Sequence, residues 1–181
     1  MNNRNIKNLE LGTVYWFTGL SGSGKTTIGK LFYNNLRQIK PNVVFLDGDI
    51  LRGVFGNQFG HSPDERKNLA LCYARFCKML SEQGIDVICA TISMYRECRK
   101  WNRNNISKYK EIYLRVSIEV LIERDQKQLY SRALKGEVNN VMGVDLEIDE
   151  PESPDAVIDN DGSNQPAIIA KELFEMLCTK H

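Results

Sequence analysis

The segment Gly19–Thr26 constrains the fold of this chain more than any other part of its sequence. It reads Gly-Leu-Ser-Gly-Ser-Gly-Lys-Thr and matches the pattern G-x-x-x-x-G-K-[ST] in full. A β-branched and aromatic run, Thr13–Phe17, precedes it as a predicted buried strand, and a helical pattern follows from about Thr26 to Ile39. In that context the pattern predicts a phosphate-binding loop (P-loop) between a strand and a helix.

The residue types in this loop suit the binding of nucleotide phosphates. Glycines let the backbone turn tightly, so that successive N–H groups point at phosphate oxygens, and the helix N-terminus adds partial positive charge. Lys25 is predicted to reach the β- and γ-phosphates, and the Thr26 hydroxyl to bind Mg²⁺. The predicted nucleotide-binding residues are Gly19, Leu20, Ser21, Gly22, Ser23, Gly24, Lys25, Thr26 and Thr27.

Strand-like and helix-like segments alternate along the rest of the chain. The further predicted strands are Val43–Leu46, Asp86–Ala90, Ile112–Val116 and Ala156–Ile158. This alternation predicts an α/β fold, a P-loop nucleoside-triphosphate hydrolase-like three-layer sandwich with a mainly parallel five-stranded sheet. The length of 181 residues is typical of one domain, so we expect a single P-loop domain over residues 1–181.

One helix start is marked by three agreeing signals. Ser62 can cap the helix, Pro63 can occupy its first position and Glu65 completes a capping box. The apolar stripe that follows predicts a helix that ends before Gly84.

Composition and charge exclude several classes of protein. The formal net charge is +1, which provides no general attraction for nucleic acid. No stretch approaches the roughly 20 apolar residues that span a bilayer, and the polar N-terminus does not resemble a signal peptide. The five cysteines form no C-x-x-C pair, which indicates reduced thiols and predicts a cytoplasmic protein without a membrane partner.

The segment that follows the second predicted strand carries acidic chemistry. Val43–Asp49 reads Val-Val-Phe-Leu-Asp-Gly-Asp, and parallel strands bring Asp47 and Asp49 to the sheet edge where the P-loop lies. Such carboxylates can hold Mg²⁺ or accept a proton from a hydroxyl. A P-loop is shared by GTPase switches, motor ATPases and small-molecule kinases. The size of the chain and the lack of an Asn-Lys-x-Asp motif favour a small kinase, with a non-catalytic nucleotide-binding switch as the alternative.

Taken together, these motifs make the chain resemble the adenylyl-sulfate (APS) kinases from about Gly12 to Asp159. These enzymes transfer the ATP γ-phosphate to the 3′-hydroxyl of adenosine 5′-phosphosulfate. The segments that carry the resemblance are Gly19–Thr27, Leu46–Arg52, Ser62–Arg66, Ile92–Arg99, Glu123–Tyr130, Gly136–Glu137, Gly143–Asp145 and Pro151–Pro154.

The resemblance implies a role for each matching residue. ATP and Mg²⁺ would be the cofactors, with Thr26 and Asp47 at the metal, and a small-molecule nucleotide the second substrate. Asp49, Lys25 and Lys127 would be catalytic. The residues implied to contact the acceptor nucleotide, besides the two positions discussed in the next paragraph, are Asp47, Asp49, Arg52, Arg66, Asn68, Ile92, Ser93, Arg96 and Lys127. Arg124 and Arg132 would contact ATP from a lid-like segment at about residues 124–150. A homodimer is compatible with the resemblance, and the sequence leaves the oligomeric state open.

The chain departs from the family pattern where APS kinases clamp the acceptor adenine between two phenylalanines. The expected positions hold His61 and Val141, which we take as substrate-binding residues of a different kind. The asparagine expected in the following helix is Leu69, although Asn68 is adjacent. Aromatic stacking contributes roughly 1–3 kcal/mol per base, so these changes disfavour adenine.

The departures leave two acceptors open. A relative within this family would phosphorylate cytidine diphosphoramidate for capsule phosphoramidate synthesis, and a pyrimidine suits a pocket with less stacking area. The alternative is an APS kinase of sulfate activation with a relaxed pocket.

A basic cluster with one aromatic residue lies farther along the chain. It consists of Arg96, Arg99, Lys100 and Arg103 around Trp101. The spacing predicts a solvated helix face whose first arginine points into the site, rather than a nucleic-acid surface.

Overall fold

The structure, a computed structural model, describes residues 10–55, 60, 62–125 and 128–178. These residues contain five strands and seven helices, and each strand is followed by one or two helices. In chain order they are β1 (Val14–Thr18), α1 (Lys25–Ile39), β2 (Val43–Asp47), α2 (Gly48–Phe55), α3 (Pro63–Glu82), β3 (Asp86–Ala90), α4 (Arg96–Asn105), β4 (Tyr109–Arg115), α5 (Ile118–Arg124), α6 (Leu129–Leu134), β5 (Ala156–Asp159) and α7 (Pro166–Cys178).

The strands form one sheet in the order β2-β3-β1-β4-β5, and every neighbouring pair is parallel. Val14 at the start of β1 lies opposite Val87 of β3 and Tyr109 of β4. The P-loop strand β1 is therefore central, with its carboxyl end between those of β3 and β4. The predicted five-stranded parallel α/β fold is confirmed.

Period-two alternation along β1 divides the core into two layers. Tyr15 and Phe17 pack with residues of α1 and α7, whereas Val14 and Trp16 pack with residues of α3 and α4. All four side chains are at most 3% exposed. Because both faces of this strand are buried, its sequence is apolar throughout rather than alternating, as is typical of parallel sheets.

Helix α3 begins with the predicted capping box. The Ser62 hydroxyl accepts a hydrogen bond from the Glu65 backbone N–H at 3.4 Å, and the Glu65 carboxylate accepts one from the Ser62 N–H at 3.1 Å. Pro63 is the first helical residue, and the helix ends at Glu82, just before Gly84 with φ +77°.

Strand β1 lies one residue later than predicted, at Val14–Thr18, and the boundaries of β4 and β2 differ for reasons that the contacts show. Strand β4 starts at Tyr109 rather than Ile112, because the charge of buried Glu111 is compensated by an ion pair with Arg103 at 2.9 Å. Strand β2 ends at Asp47, and Asp49 lies in the first turn of α2. The Asp47 carboxylate accepts the Asp49 backbone N–H at 2.9 Å and so turns the chain into that helix.

Among the described residues, no helix is both long and apolar enough to cross a membrane. All five cysteines are free thiols, and three of them, Cys77, Cys89 and Cys98, are buried in the core.

Candidate active site

A cleft of about 600 Å³ opens at the carboxyl edge of the sheet. The loops that follow β1, β2 and β3 form its floor, helices α2 and α3 form one side, and Met142 closes over it from the lid-like segment. The lining residues are Ser21, Gly22, Gly24, Lys25, Thr26, Thr27, Asp47, Gly48, Asp49, Ile50, Arg52, Arg66, Leu69, Tyr73, Ala90, Thr91, Ile92, Ser93, Tyr95 and Met142.

The P-loop backbone requires glycine at the start of α1. Gly24 caps that helix with φ +92°, and a Cβ built there would lie 2.6 Å from the Asn160 amide nitrogen. The same Asn160 amide donates to the Ser23 carbonyl at 2.9 Å. The end of β5 thus supports the P-loop from behind, a contact that the sequence did not indicate.

The Lys25 side chain folds back onto the loop residues that precede it in sequence. Its side chain is buried, and its ammonium group donates to the Leu20 carbonyl at 2.6 Å and lies 3.4 Å from the Ser23 hydroxyl. The lysine charge is therefore held at the floor of the cleft, next to the helix N-terminus.

Thr26 and Asp47, the two predicted metal-binding residues, are in direct contact. The Thr26 hydroxyl donates to one Asp47 carboxylate oxygen at 2.7 Å, and the other oxygen is fixed by the start of α2. Across the described chain there is no group of three or more His, Cys, Asp and Glu side chains that could hold a metal ion. A hydroxyl beside a single carboxylate fits Mg²⁺, which keeps several waters and uses one or two protein ligands together with phosphates.

Asp49, Arg52 and Arg66 line the cleft on the side of α2 and α3. Arg52 donates to the Gly60 carbonyl at 3.2 Å, which holds its guanidinium group toward the chain that leads into α3. Tyr73 donates to the Gly48 carbonyl at 3.2 Å and anchors the beginning of α2 to α3. One carboxylate and two guanidinium groups therefore lie on one wall.

The loop after β3 carries two of the predicted acceptor residues, Ile92 and Ser93. Ser93 is buried and has a φ of +28°, and its hydroxyl lies 2.8 Å from that of Thr91. The Thr18 hydroxyl donates to the Ile92 carbonyl at 2.6 Å. A non-glycine residue with positive φ is strained, and such strain persists where the surroundings fix it, often at functional sites.

The apolar wall of the cleft differs from the prediction. Val141 is only 4% exposed and does not line the cleft, because it packs into the cluster that joins the lid-like segment to Leu20 and Tyr130. The adjacent Met142 lines the cleft instead. The sequence could not distinguish the two, because residues 136–155 show no periodicity.

Two tyrosines that the sequence did not single out also line the cleft. Burial raises the pKa of Tyr73 to about 12. Burial also raises the pKa of Tyr95, although the positive charges of Arg66 and Arg52 act to lower it. Both phenols are therefore neutral near neutral pH. The Tyr95 hydroxyl is buried without a hydrogen-bond partner.

The structure does not bring every predicted residue to the cleft. Arg96 extends to Glu152, with which it forms an ion pair at 2.8 Å, and Asn68 is exposed on α3 outside the lining. The expected solvated face of α4 is also wrong at Arg99, whose side chain is only 6% exposed. His61 and Lys127 lie outside the described residues.

The two predicted lid arginines have contacts away from the cleft lining. Arg124 donates to the Asn160 carbonyl at 2.8 Å, beside the support of the P-loop. Arg132 forms an exposed ion pair with Glu137 at 3.4 Å. The lid-like segment nevertheless contacts the P-loop directly, because the Tyr130 hydroxyl donates to the Ser21 carbonyl at 2.8 Å.

Comparison with known proteins agrees with this arrangement. Residues 11–159 match the family described as adenylylsulphate kinase. The chain is 46% identical over 151 residues to the cytidine diphosphoramidate kinase of Campylobacter jejuni, covering 83% of this chain and 88% of that protein. It is 39% identical over 152 residues to the probable adenylyl-sulfate kinase of Archaeoglobus fulgidus, covering 84% and 98%.

Solved structures show the same likeness. The Mycobacterium tuberculosis APS kinase, solved in complex with AMPPNP and APS, superposes with a TM-score of 0.85 at 27% sequence identity. The match covers 92% of this chain and 98% of that one.

Proposed function

Because the chain belongs to the adenylylsulphate kinase family and is a kinase, we propose that it transfers the γ-phosphate of ATP to the 3′-hydroxyl of a nucleotide. The observation that carries this proposal is that one cleft holds two sets of groups. The P-loop, Lys25 and the Thr26–Asp47 pair can bind phosphates and metal, and Asp49 lines the same cleft together with the guanidinium groups of α2 and α3. The kinase relatives decide against a non-catalytic nucleotide switch.

On the donor side, the P-loop N–H groups and Lys25 hold the β- and γ-phosphates of ATP. Thr26 and Asp47 would hold Mg²⁺, which supplies charge neutralisation at the phosphate oxygens when bound. The positive charge of Lys25 stabilises the negative charge that develops on the leaving oxygen, and this stabilisation is largest in the transition state. Arg124 and Arg132 stay predicted ATP contacts of the lid-like segment, and Lys127 stays a predicted catalytic and acceptor-binding residue.

On the acceptor side, Asp49 accepts the proton of the attacking hydroxyl. A bond forms between the acceptor 3′-oxygen and the γ-phosphorus, the bond from that phosphorus to the β–γ bridging oxygen breaks, and ADP leaves. Arg52 and Arg66 bind the acidic groups of the acceptor through charge-assisted hydrogen bonds. Ile92 and Ser93 form the floor beneath it.

For the acceptor itself we propose cytidine diphosphoramidate. The 46% identical Campylobacter jejuni relative bears that activity in its name. The cleft wall supports the same choice, because Leu69 and Met142 provide its apolar surface and no phenylalanine lines it among the residues that the structure describes. The alternative acceptor is APS, which the family match and the 39% identical relative favour.

The test is a side-by-side measurement of kcat/KM for the two acceptors with the purified protein. We expect efficient, acceptor-dependent ATP consumption with cytidine diphosphoramidate and at least roughly tenfold poorer use of APS, since each missing stack is worth about 1–2 kcal/mol. Efficient phosphorylation of APS without turnover of cytidine diphosphoramidate would reject this acceptor.

A pair of variants sharpens that comparison. Met142→Phe places an aromatic ring at the position that faces the cleft, so it should improve the use of APS relative to cytidine diphosphoramidate. Met142→Leu keeps the volume and apolar character of the side chain and should leave the ratio unchanged. A ratio that moves equally in both variants would show that aromatic stacking is not the basis of the discrimination.

A further inference from the structure

A buried arginine of α4 fastens the chain segment that returns from the lid-like segment to β5. We refer to residues 149–155 as the return segment. Arg99 donates to the Asp149 carbonyl at 2.7 Å, to the Asp149 carboxylate at 2.8 Å and to the Glu150 carbonyl at 3.0 Å. One guanidinium group thus satisfies three acceptors on two adjacent residues, an arrangement that lysine cannot reproduce.

A second arginine, one turn farther along α4, fastens the other end of the return segment. Arg103 donates to the Ser153 carbonyl at 2.7 Å and to the Glu111 carboxylate at 2.9 Å. The same Glu111 carboxylate lies 3.6 Å from the Arg99 guanidinium. Helix α4, strand β4 and the return segment are therefore joined through one buried carboxylate.

The first of these contacts connects the two walls of the cleft. Asp149 also accepts the backbone N–H of Arg96, the first residue of α4. Directly before α4 lies the loop with Ser93 and Tyr95, which lines the acceptor side. Seven residues before Asp149 lies Met142, which closes over the same cleft. The Asp149 carboxylate therefore ties the loop before α4, which we call the acceptor loop, to the end of the lid-like segment, and it does so in addition to the apolar packing of Tyr95 against the cluster that contains Met142.

We propose that Arg99 and Asp149 are positioning residues that fix the position of the acceptor loop relative to Met142 in the cleft. Neither side chain lines the cleft, so they act through the loop and the lid-like segment rather than by touching the nucleotide. The P-loop depends on other contacts, those of Asn160 and Tyr130. This inference rests on the proposed kinase function. It predicts that loss of the pair weakens use of the acceptor and leaves ATP binding intact.

The test compares Asp149→Asn and Arg99→Lys with wild type in steady-state kinetics. We expect kcat/KM for the acceptor to fall about tenfold in Asp149→Asn, the size typical of a lost charged hydrogen bond, while KM for ATP stays within about twofold. Arg99→Lys keeps the positive charge but cannot bond all three acceptors, so its kcat/KM for the acceptor should lie between the values of wild type and Asp149→Asn. The matched control is Asp159→Asn, which breaks the exposed Arg115–Asp159 pair outside the cleft. It should change neither constant.

Hydrogen exchange provides a second measurement that does not depend on turnover. The amides of Gly143, Val144 and Leu146 bond within the turn of the lid-like segment. They should exchange faster in Asp149→Asn than in wild type, with the P-loop amides unchanged. Equal loss of ATP and acceptor affinity, or unchanged kinetics with unchanged exchange, would overturn the proposal. A wild-type protein that phosphorylates no nucleotide, combined with the predicted exchange pattern, would reject the kinase function but keep the mechanical link.

Discussion

Two carboxylates that stand two residues apart have different environments and, we infer, different tasks. Asp47 is 9% exposed, and its two oxygens are engaged by the Thr26 hydroxyl and the Asp49 backbone N–H. The Asp49 side chain instead projects from the first turn of α2 on the exposed side of the cleft. A fixed carboxylate suits metal binding, and an accessible one suits proton transfer from an incoming hydroxyl.

This difference predicts the effect of removing the groups that act on the reacting atoms. Asp49→Ala and Lys25→Ala should each lower kcat at least about tenfold, because general base catalysis and phosphate charge stabilisation typically contribute that much or more. Thermal unfolding should change little in Asp49→Ala, since its side chain is exposed. Glu172→Ala, which removes an exposed carboxylate of α7 outside the cleft, is the control. Near-normal kcat in Asp49→Ala would remove that residue from the catalytic set.

At the scale of elements, helix α3 depends on its first turn. This 20-residue helix contributes Arg66, Leu69 and Tyr73 to the cleft, so its start fixes much of the acceptor wall. Ser62→Ala removes the hydroxyl that accepts the Glu65 N–H and should reduce the free energy of unfolding by about 1 kcal/mol. For a chain of this size the melting temperature should fall by roughly 2–4 °C.

The control for that prediction keeps an acceptor at the helix cap. Ser62→Thr retains a hydroxyl that can accept the Glu65 N–H and donate to the Glu65 carboxylate, so it should melt close to wild type. Equal destabilisation by alanine and threonine would show that the capping bond is not what the serine contributes.

The same elements show what a sequence can and cannot predict. The strand–loop–helix around Gly19–Thr26 and the capping box at Ser62 are encoded locally, by residues that are neighbours in the chain, and both were predicted. Helix α2 was not predicted. It starts where the Asp47 carboxylate accepts the backbone N–H of the residue two positions ahead, and such a contact leaves no hydrophobic periodicity in the sequence. The buried end of β4 was missed because Glu111 is tolerated there only through Arg103, a partner on another element.

The cleft follows the same division. Lys25, Thr26, Asp47 and Asp49 lie on strand ends and helix starts, and motif spacing was enough to place them at one edge of the sheet. Side chains on the aperiodic part of the lid-like segment depend on tertiary packing, so Val141 was predicted where Met142 lies.

For the molecule as a whole, Asp155 links the return segment to the last two strands of the sheet. Its carboxylate accepts the Glu111 backbone N–H at 2.9 Å and pairs with Lys110 at 3.1 Å, beside Arg103 at 3.5 Å. Burial acts to raise the pKa of Asp155, but the Glu111 hydrogen bond and the Lys110 and Arg103 charges outweigh it, so the pKa is lower than usual. The folded protein therefore favours the ionised form of this group.

That direction determines how stability should depend on pH. A group with a depressed pKa in the folded state stabilises the fold above its unfolded pKa, which is about 3.9 for aspartate, and loses that contribution as the pH falls through the folded value. Wild type should therefore exceed Asp155→Asn in free energy of unfolding by on the order of 1 kcal/mol near pH 7, with the gap shrinking below about pH 4. Denaturant unfolding of both proteins between pH 7 and pH 3 measures the gap. The nearby Glu111 has the opposite tendency, because burial raises its pKa despite the charges of Arg103 and Arg99. A gap that widens toward low pH would mean that Asp155 is held in its protonated form, and would contradict the ion-paired arrangement at the end of the return segment.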